Sequence, residues 1–236
     1  ALIAFGISPT LAIGVALVSC FRRAERASAE FLFILLPAFV LTLATCLLAD
    51  NYGLRYMIPA TALLLVLGGR ALFVVRASRA RRAAAGLLAA WLIASVLIAA
   101  PHFIGYFNEL IGGPRNAAYF LHDSNVDWGQ DLKRLALYQR DNGVPEVILA
   151  YWGQSRPEPY AARYGVRYAP WTDSMARAAV PPPGVYAVSV NHLVNLKLAV
   201  EYGDSPNLDW LERFRPVDRV GYSIYIYRFP PAATPP

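Results

Sequence analysis

Asp123, Ser124, Asn125, Asp127 and Gln130 crowd around Trp128 in the stretch HDSNVDWGQDLKRL, residues 122–135. Carboxylates and amides at such spacing can hold a cation, shape a helix start or take the hydroxyls of a sugar. A calcium loop needs alternating oxygen ligands, then a glycine, then a bidentate closing carboxylate. Asp123, Asn125 and Asp127 have the alternation, but Trp128 stands where the glycine belongs and Arg134 where the closing carboxylate belongs. A divalent cation is therefore only a subordinate option. The structural alternative makes Asp127 the N-cap of a helix with Gln130 as its capping-box partner. Asp123 and Asn125 then form Asx-turns, and Trp128 docks a soluble domain at a membrane interface. In a carbohydrate site, the Trp128 ring covers the apolar face of a sugar while Asp123, Asn125, Asp127 and Gln130 take its hydroxyls. Asp123 and Asn125 are the stronger candidates, because the cap commits Asp127.

The elements that position these residues begin with a greasy N-terminal half. Of 236 residues 56% are hydrophobic, too many for an ordinary soluble domain. Residues 1–100 hold nine Arg against three acids, whereas residues 101–236 hold thirteen Lys or Arg against thirteen acids. The positive excess thus lies in the apolar half, which argues for membrane topology and against a nucleic-acid-binding face. Four apolar runs, at 1–20, 31–49, 56–75 and 84–101, approach the ~20 residues needed to span a bilayer. Arg22, Arg23 and Arg26, and then Arg70, Arg76, Arg79, Arg81 and Arg82, mark two loops as cytoplasmic, which puts everything after Pro101 on the far side. The expected fold is a polytopic α-helical membrane region of about four spans followed by a small extracytoplasmic α/β domain. Its divisions are 1–104, the C-terminal part of a larger helical bundle; 105–229, the α/β domain; and 230–236, a disordered tail. The N-terminal ALIAFGISPT has no basic leader and no cleavage pattern, and reads as a start within a longer protein. Cys20 and Cys46 fall inside expected spans, as small hydrophobes.

After Pro101 the pattern changes. VDWGQDLKRLALYQRDNG reads as a helix from Asp127 that presents Leu132, Leu135 and Ala136 on one face and stops at Gly143. The segments 146–152, 184–190 and 222–229 read as strands, and 158–164, 191–202 and 208–214 as helices. Tyr151, Trp152 and Gln154 close the first strand, where α/β sheets often bind ligands. His102, His122 and His192 are too scattered for a metal triad.

The unit LADNYGLRYMIPATALLLV, the blocks YFNELIGGPRN and DSNVDWGQDL, and the α/β pattern behind them resemble the C-terminal part of bacterial glycosyltransferase family 39 proteins. These are relatives of the protein O-mannosyltransferases and of the lipid A aminoarabinose transferase. The similarity runs from about residue 30 to about residue 170. It implies a GT-C enzyme of the bacterial inner membrane, multi-pass, that moves a sugar from a polyprenyl-phosphate donor to a lipid, glycan or protein acceptor on the outer face. That family carries its catalytic acids in a first extracytoplasmic loop to which nothing here corresponds, so the catalytic base is expected outside this chain.

For the donor phosphate, Arg55 stands at the outer start of the third expected span, where a planar guanidinium can hold a phosphate bidentately, with Tyr56 beside it. An interfacial anchor is an equal reading for Arg55, and an aromatic belt for Tyr56. Asp50 is a further candidate for sugar contact, or orients Arg55, with Asn51 as a loop neighbour. Asn108 and Glu109 lie at the outer end of the last span, with Gly112 and Gly113 permitting a turn. Glu109 is a candidate for sugar or metal contact. The rival expectation is a non-catalytic, membrane-anchored protein that grips a glycan or a partner.

Overall fold

The computed structural model describes residue 14 and residues 31–48, 54–69, 78–109, 112–119, 126–152 and 156–231. The chain divides into two compact units, Ala1–Pro114 and Arg115–Pro236.

In the first unit a π-helical turn, Phe31–Leu35, runs into α1, Leu36–Leu48. A 3-10 turn, Leu54–Met57, runs into α2, Ile58–Gly68, and α3 covers Arg79–Ala99. Helices α1 and α2 pack together, with Leu67 buried against Ile34 and Leu35. The four-span expectation is corrected here. Among the described residues only α3, at 21 residues, is long and apolar enough to cross a membrane. The run at 31–49 gives an apolar helix of Leu32–Leu47 and the run at 56–75 gives only Ile58–Gly68, while the run at 1–20 lies outside the described residues apart from position 14. Pro37 has no N–H for the carbonyl four residues earlier, and the turn before it closes with the wider π pattern. Pro59 sits in the first turn of α2 and Gly68–Gly69 ends it, leaving 11 residues, about 16 Å of rise where ~30 Å is needed. Cys46 is an exposed free thiol on α1, not a buried hydrophobe.

Helix α3 differs. Ser78 caps it, its side chain accepting from the Arg81 N–H, and Arg79, Arg81 and Arg82 crowd its first turn. Leu87, Trp91, Ile93, Val96, Leu97 and Ile98 are all exposed along its shaft. Only 11% of its apolar window is buried.

The second unit is α/β. Its elements are α4 (Leu132–Asp141), β1 (Val147–Ala150), α5 (Pro157–Tyr164), β2 (Tyr168–Pro170), α6 (Asp173–Arg177), β3 (Gly184–Ser189), α7 (Val190–Glu201), α8 (Trp210–Arg213), β4 (Asp218–Val220) and β5 (Ile224–Phe229). The sheet order is β2-β1-β3-β5-β4, with β1 parallel to both neighbours and β5 antiparallel to β3 and β4. Period-two alternation gives the sheet two apolar faces. Val147, Leu149, Ala187, Ile224 and Ile226 face Leu132 and Leu135 of α4 and Ala161 of α5. On the opposite face Tyr186, Tyr227 and Phe229 surround Trp210 of α8, beside which α7 packs.

Candidate functional site

The helix of the second unit starts later than the sequence pattern predicts. Its N-cap is Asp131, without a side-chain cap bond, and Leu132 is the first helical residue. Asp127 is therefore no cap. It is buried, one carboxylate oxygen accepting from the Gly129 N–H at 2.7 Å and the other from the Ser189 hydroxyl. The capping box is absent too: Gln130 Oε1 accepts from the Trp128 N–H at 2.7 Å and Gln130 Nε2 donates to the Val126 carbonyl at 3.0 Å. Gln130 thus tightens the turn from its own end, and the turn holds the Trp128 ring outward, 41% exposed.

A second buried carboxylate anchors the same turn. Asp131 Oδ2 accepts from the Ser223 hydroxyl at 2.7 Å and from the Ser223 N–H at 3.3 Å, and Arg134 donates to Oδ1 at 2.5 Å. Segment 126–131 is thereby tied to the β3–α7 junction through Ser189 and to the β4–β5 turn through Ser223. Asn191 Nδ2 adds a 3.4 Å bond to the Asp127 carbonyl. Gly129, at φ 78°, lets the Tyr151 hydroxyl lie so close that a Cβ there would sit 1.8 Å from it.

The place where these ties meet is set by topology. Strands β1 and β3 are adjacent and parallel, yet β1 is followed by α5 on one face of the sheet and β3 by α7 on the other. Between two such strands the connections part and leave a crevice at their C-terminal ends, the usual ligand position in open α/β sheets. Tyr151 and Trp152 follow β1, Ser189 and Asn191 follow β3, and the turn carrying Asp127 and Trp128 is bonded to Ser189 and lies against Tyr151. Trp152 and Tyr160 are exposed, 39% and 41%. Asn191 Oδ1, His192 Nε2 and Trp171 Nε1 are buried and have no protein partner; all three residues follow the C-terminal ends of β2 or β3.

The electrostatics follow from burial. Desolvation raises the Asp127 carboxyl to about 6, against the bonds from Ser189 and Gly129 that lower it, with the Asp131 charge adding to the rise. Burial first, then the Asp127 charge, also raises the Tyr151 phenol. Burial lowers His192, partly offset by Asp173, so its ring is neutral near pH 7. Because Asp127 holds its proton more tightly folded than unfolded, its contribution to stability is fully present below the unfolded value of 3.8 and is lost as pH rises through about 6. Lowering the pH from 7 to 4 should stabilise the α/β unit by about 2 kcal/mol through this group. Asp204, exposed and held at about 2 by Arg177, titrates below that window. Urea unfolding of the chain in detergent, followed by tryptophan fluorescence, should show this slope in wild type and lose it in Asp127→Asn.

Of the residues singled out in the sequence, Asp127, Trp128 and Gln130 come together in this one turn. Glu109 belongs to the first unit, where it accepts from Ser95. Tyr56 is 42% exposed in the 3-10 turn that precedes α2. Asp50, Asp123, Asn125, Gln154 and the side chain of Arg55 lie outside the described residues. Among the described residues no three His, Cys, Asp or Glu side chains converge as a metal site would require. Sequence reasoning missed Asp131, Ser189, Asn191 and Ser223; the available signal was the serine ending the run GVYAVS, directly before a helical pattern. The chain matches no protein-family model, no curated protein and no solved structure.

Proposed function

We propose that this chain is part of a membrane-associated glycosyltransferase that uses a polyprenyl-phosphate-linked sugar, and that its α/β unit takes the carbohydrate at the β1/β3 crevice. The observation that carries this reading is the exposure of Trp128 on a turn whose neighbouring carboxylate, Asp127, is bonded to Ser189 at the end of β3. A rigid aromatic face beside fixed oxygens suits a sugar, which has an apolar ring face and equatorial hydroxyls. Exposed Trp152 and Tyr160 extend the surface. The resemblance of DSNVDWGQDL and YFNELIGGPRN to family 39 glycosyltransferases supports the donor class. Helix α3 serves as a membrane span, at about 31 Å for 21 residues. Its arginine-rich start faces the cytoplasm and its end at Ala99 the opposite side.

The chemistry is displacement at the anomeric carbon. A base outside the residues assigned here removes the acceptor hydroxyl proton, the acceptor oxygen bonds to the anomeric carbon, and that carbon's bond to the phosphate oxygen breaks. Polyprenyl phosphate departs with the electron pair, its charge balanced by a cation in the role assigned to Arg55. Membranes carrying the full gene product, supplied with labelled polyprenyl-phosphate sugars, test this. Arg55→Ala should lower turnover about a hundredfold and Trp128→Ala about tenfold, with membrane insertion unchanged. Wild-type turnover in both variants would sink the assignment. Wild-type protein that binds glycan through Trp128 but consumes no donor would point instead to an anchored binding protein.

A further inference from the structure

Helix α3 gathers positive charge at one end. Arg79, Arg81 and Arg82 occupy its first turn, all three exposed, with the Ser78 side chain accepting from the Arg81 N–H. That turn holds no acidic residue, and the sequence has none anywhere between Asp50 and Glu109. Among the described residues no carboxylate pairs with Arg79 or Arg82.

Such a start is unfavourable for the helix taken alone. The N–H groups of a first turn already give that end a positive partial charge, and each arginine placed there adds to it. Arg79 and Arg82, three residues apart, also share a face of the helix and repel one another. The shaft beyond them is apolar and exposed at Leu87, Trp91, Ile93, Leu97 and Ile98. As a span, α3 therefore sets three guanidinium groups at the edge of the hydrocarbon, where their long stems reach the level of the lipid phosphates.

An anionic surface relieves both the dipole cost and the mutual repulsion. A guanidinium takes a phosphate through two parallel N–H bonds and is more weakly hydrated than an ammonium. Phosphatidylcholine carries its own ammonium beside the phosphate, which cancels the charge and is repelled by arginine. Phosphatidylglycerol carries none, and its net negative charge is what a basic segment beside a span attracts.

We propose that Arg79, Arg81 and Arg82 form a docking surface for anionic phospholipid headgroups, of the phosphatidylglycerol kind, at the start of α3. The inference rests on α3 being a membrane span, as proposed above. Its consequence is a local shell of acidic lipid around the cytoplasmic end of the span.

The test uses the full chain reconstituted in vesicles of equal phosphatidylglycerol and phosphatidylcholine, with retained lipid counted by native mass spectrometry. Wild type should retain phosphatidylglycerol about tenfold over phosphatidylcholine at low salt, and about twofold at about 1 M salt, where screening acts within about 3 Å. Replacing all three arginines (Arg79→Gln, Arg81→Gln and Arg82→Gln) should lower the low-salt ratio to about twofold, the remainder coming from arginines elsewhere in the chain. Lysine at the same three positions keeps the charge and should hold most of the preference. Both leaflets of such vesicles contain the same lipids, so inverted insertion of a variant leaves the comparison valid. Equal retention of the two lipids by wild type, an unchanged ratio in the glutamine variant, or a lysine variant as unselective as the glutamine one overturns the proposal. Carbonate extraction separates the lipid surface from the span beneath it. If wild type is released from the membrane, both fall; if it stays but shows no preference, the lipid surface alone falls.

Discussion

Gly221→Ala should destabilise the α/β unit by about 4–6 kcal/mol, a large share of the about 5–15 kcal/mol that holds a domain folded. Two costs combine. Gly221 has φ +60°, a left-handed conformation that costs a residue with a Cβ about 1–2 kcal/mol. The larger cost is spatial, because the new Cβ would lie 2.1 Å from Asp131 Oδ2 and 2.3 Å from its carboxyl carbon. Asp131 cannot retreat cheaply: it is buried, holds the Ser223 N–H and hydroxyl on one oxygen and Arg134 on the other, and any shift leaves a charge unpaired in the interior. Gly203 supplies the control. It too has positive φ, +93°, but nothing lies within 4 Å of its Cβ position, so Gly203→Ala should cost only about 1–2 kcal/mol. Paired urea titrations decide it; equal losses in the two variants would mean that the Asp131 contact does not govern the turn.

Trp210→Ala is the second large effect, at about 3–5 kcal/mol. The indole is fully buried and meets Trp171, Tyr186, Phe214, Tyr227 and Phe229 at centroid distances of 4.7, 5.5, 5.2, 5.5 and 5.7 Å. Its Nε1–H donates to the Ala176 carbonyl at 3.0 Å, pinning α6 to the same cluster. Truncation opens a cavity lined by rings too rigid to collapse into it, and leaves that carbonyl without its donor. Trp210→Phe keeps much of the volume and loses the bond, so it should cost about 1–3 kcal/mol. A Trp210→Ala protein whose melting temperature matches wild type would show that the aromatic face does not hold the sheet to α7 and α8.

The sheet and its helices were legible wherever an apolar run was long enough to show a period. The runs at 146–152, 184–190 and 222–229 hold β1, β3 and β5, and the helical patterns at 158–164, 191–202 and 208–214 hold α5, α7 and α8. Strands β2 and β4 went unseen because YAP and DRV are three residues each, and pairing with longer neighbours makes them strands. Among the apolar runs of the first unit, apolar content was visible, but it does not fix helix length, which for the third run stops at Gly68. Asp127 shows the limit most clearly. An aspartate shortly before a helical pattern reads as a cap because capping is local, whereas its actual partner Ser189 is 62 residues away and reaches it only when the sheet is assembled. The crevice has the same origin, since which face a helix covers depends on pairings between strands distant in sequence.

The placement of β5 between β3 and β4 has a consequence for synthesis. Strand β3 emerges from the ribosome about 35 residues before β5 and, until then, offers the open edge of VYAVS to any other chain. Ser223 arrives with the same late segment, so the clasp on Asp131 closes only after most of the unit is made. A nascent chain stalled before residue 222 would therefore combine an unpaired β3 edge with an unsatisfied Asp131, and such species should engage chaperones far more readily than the finished protein.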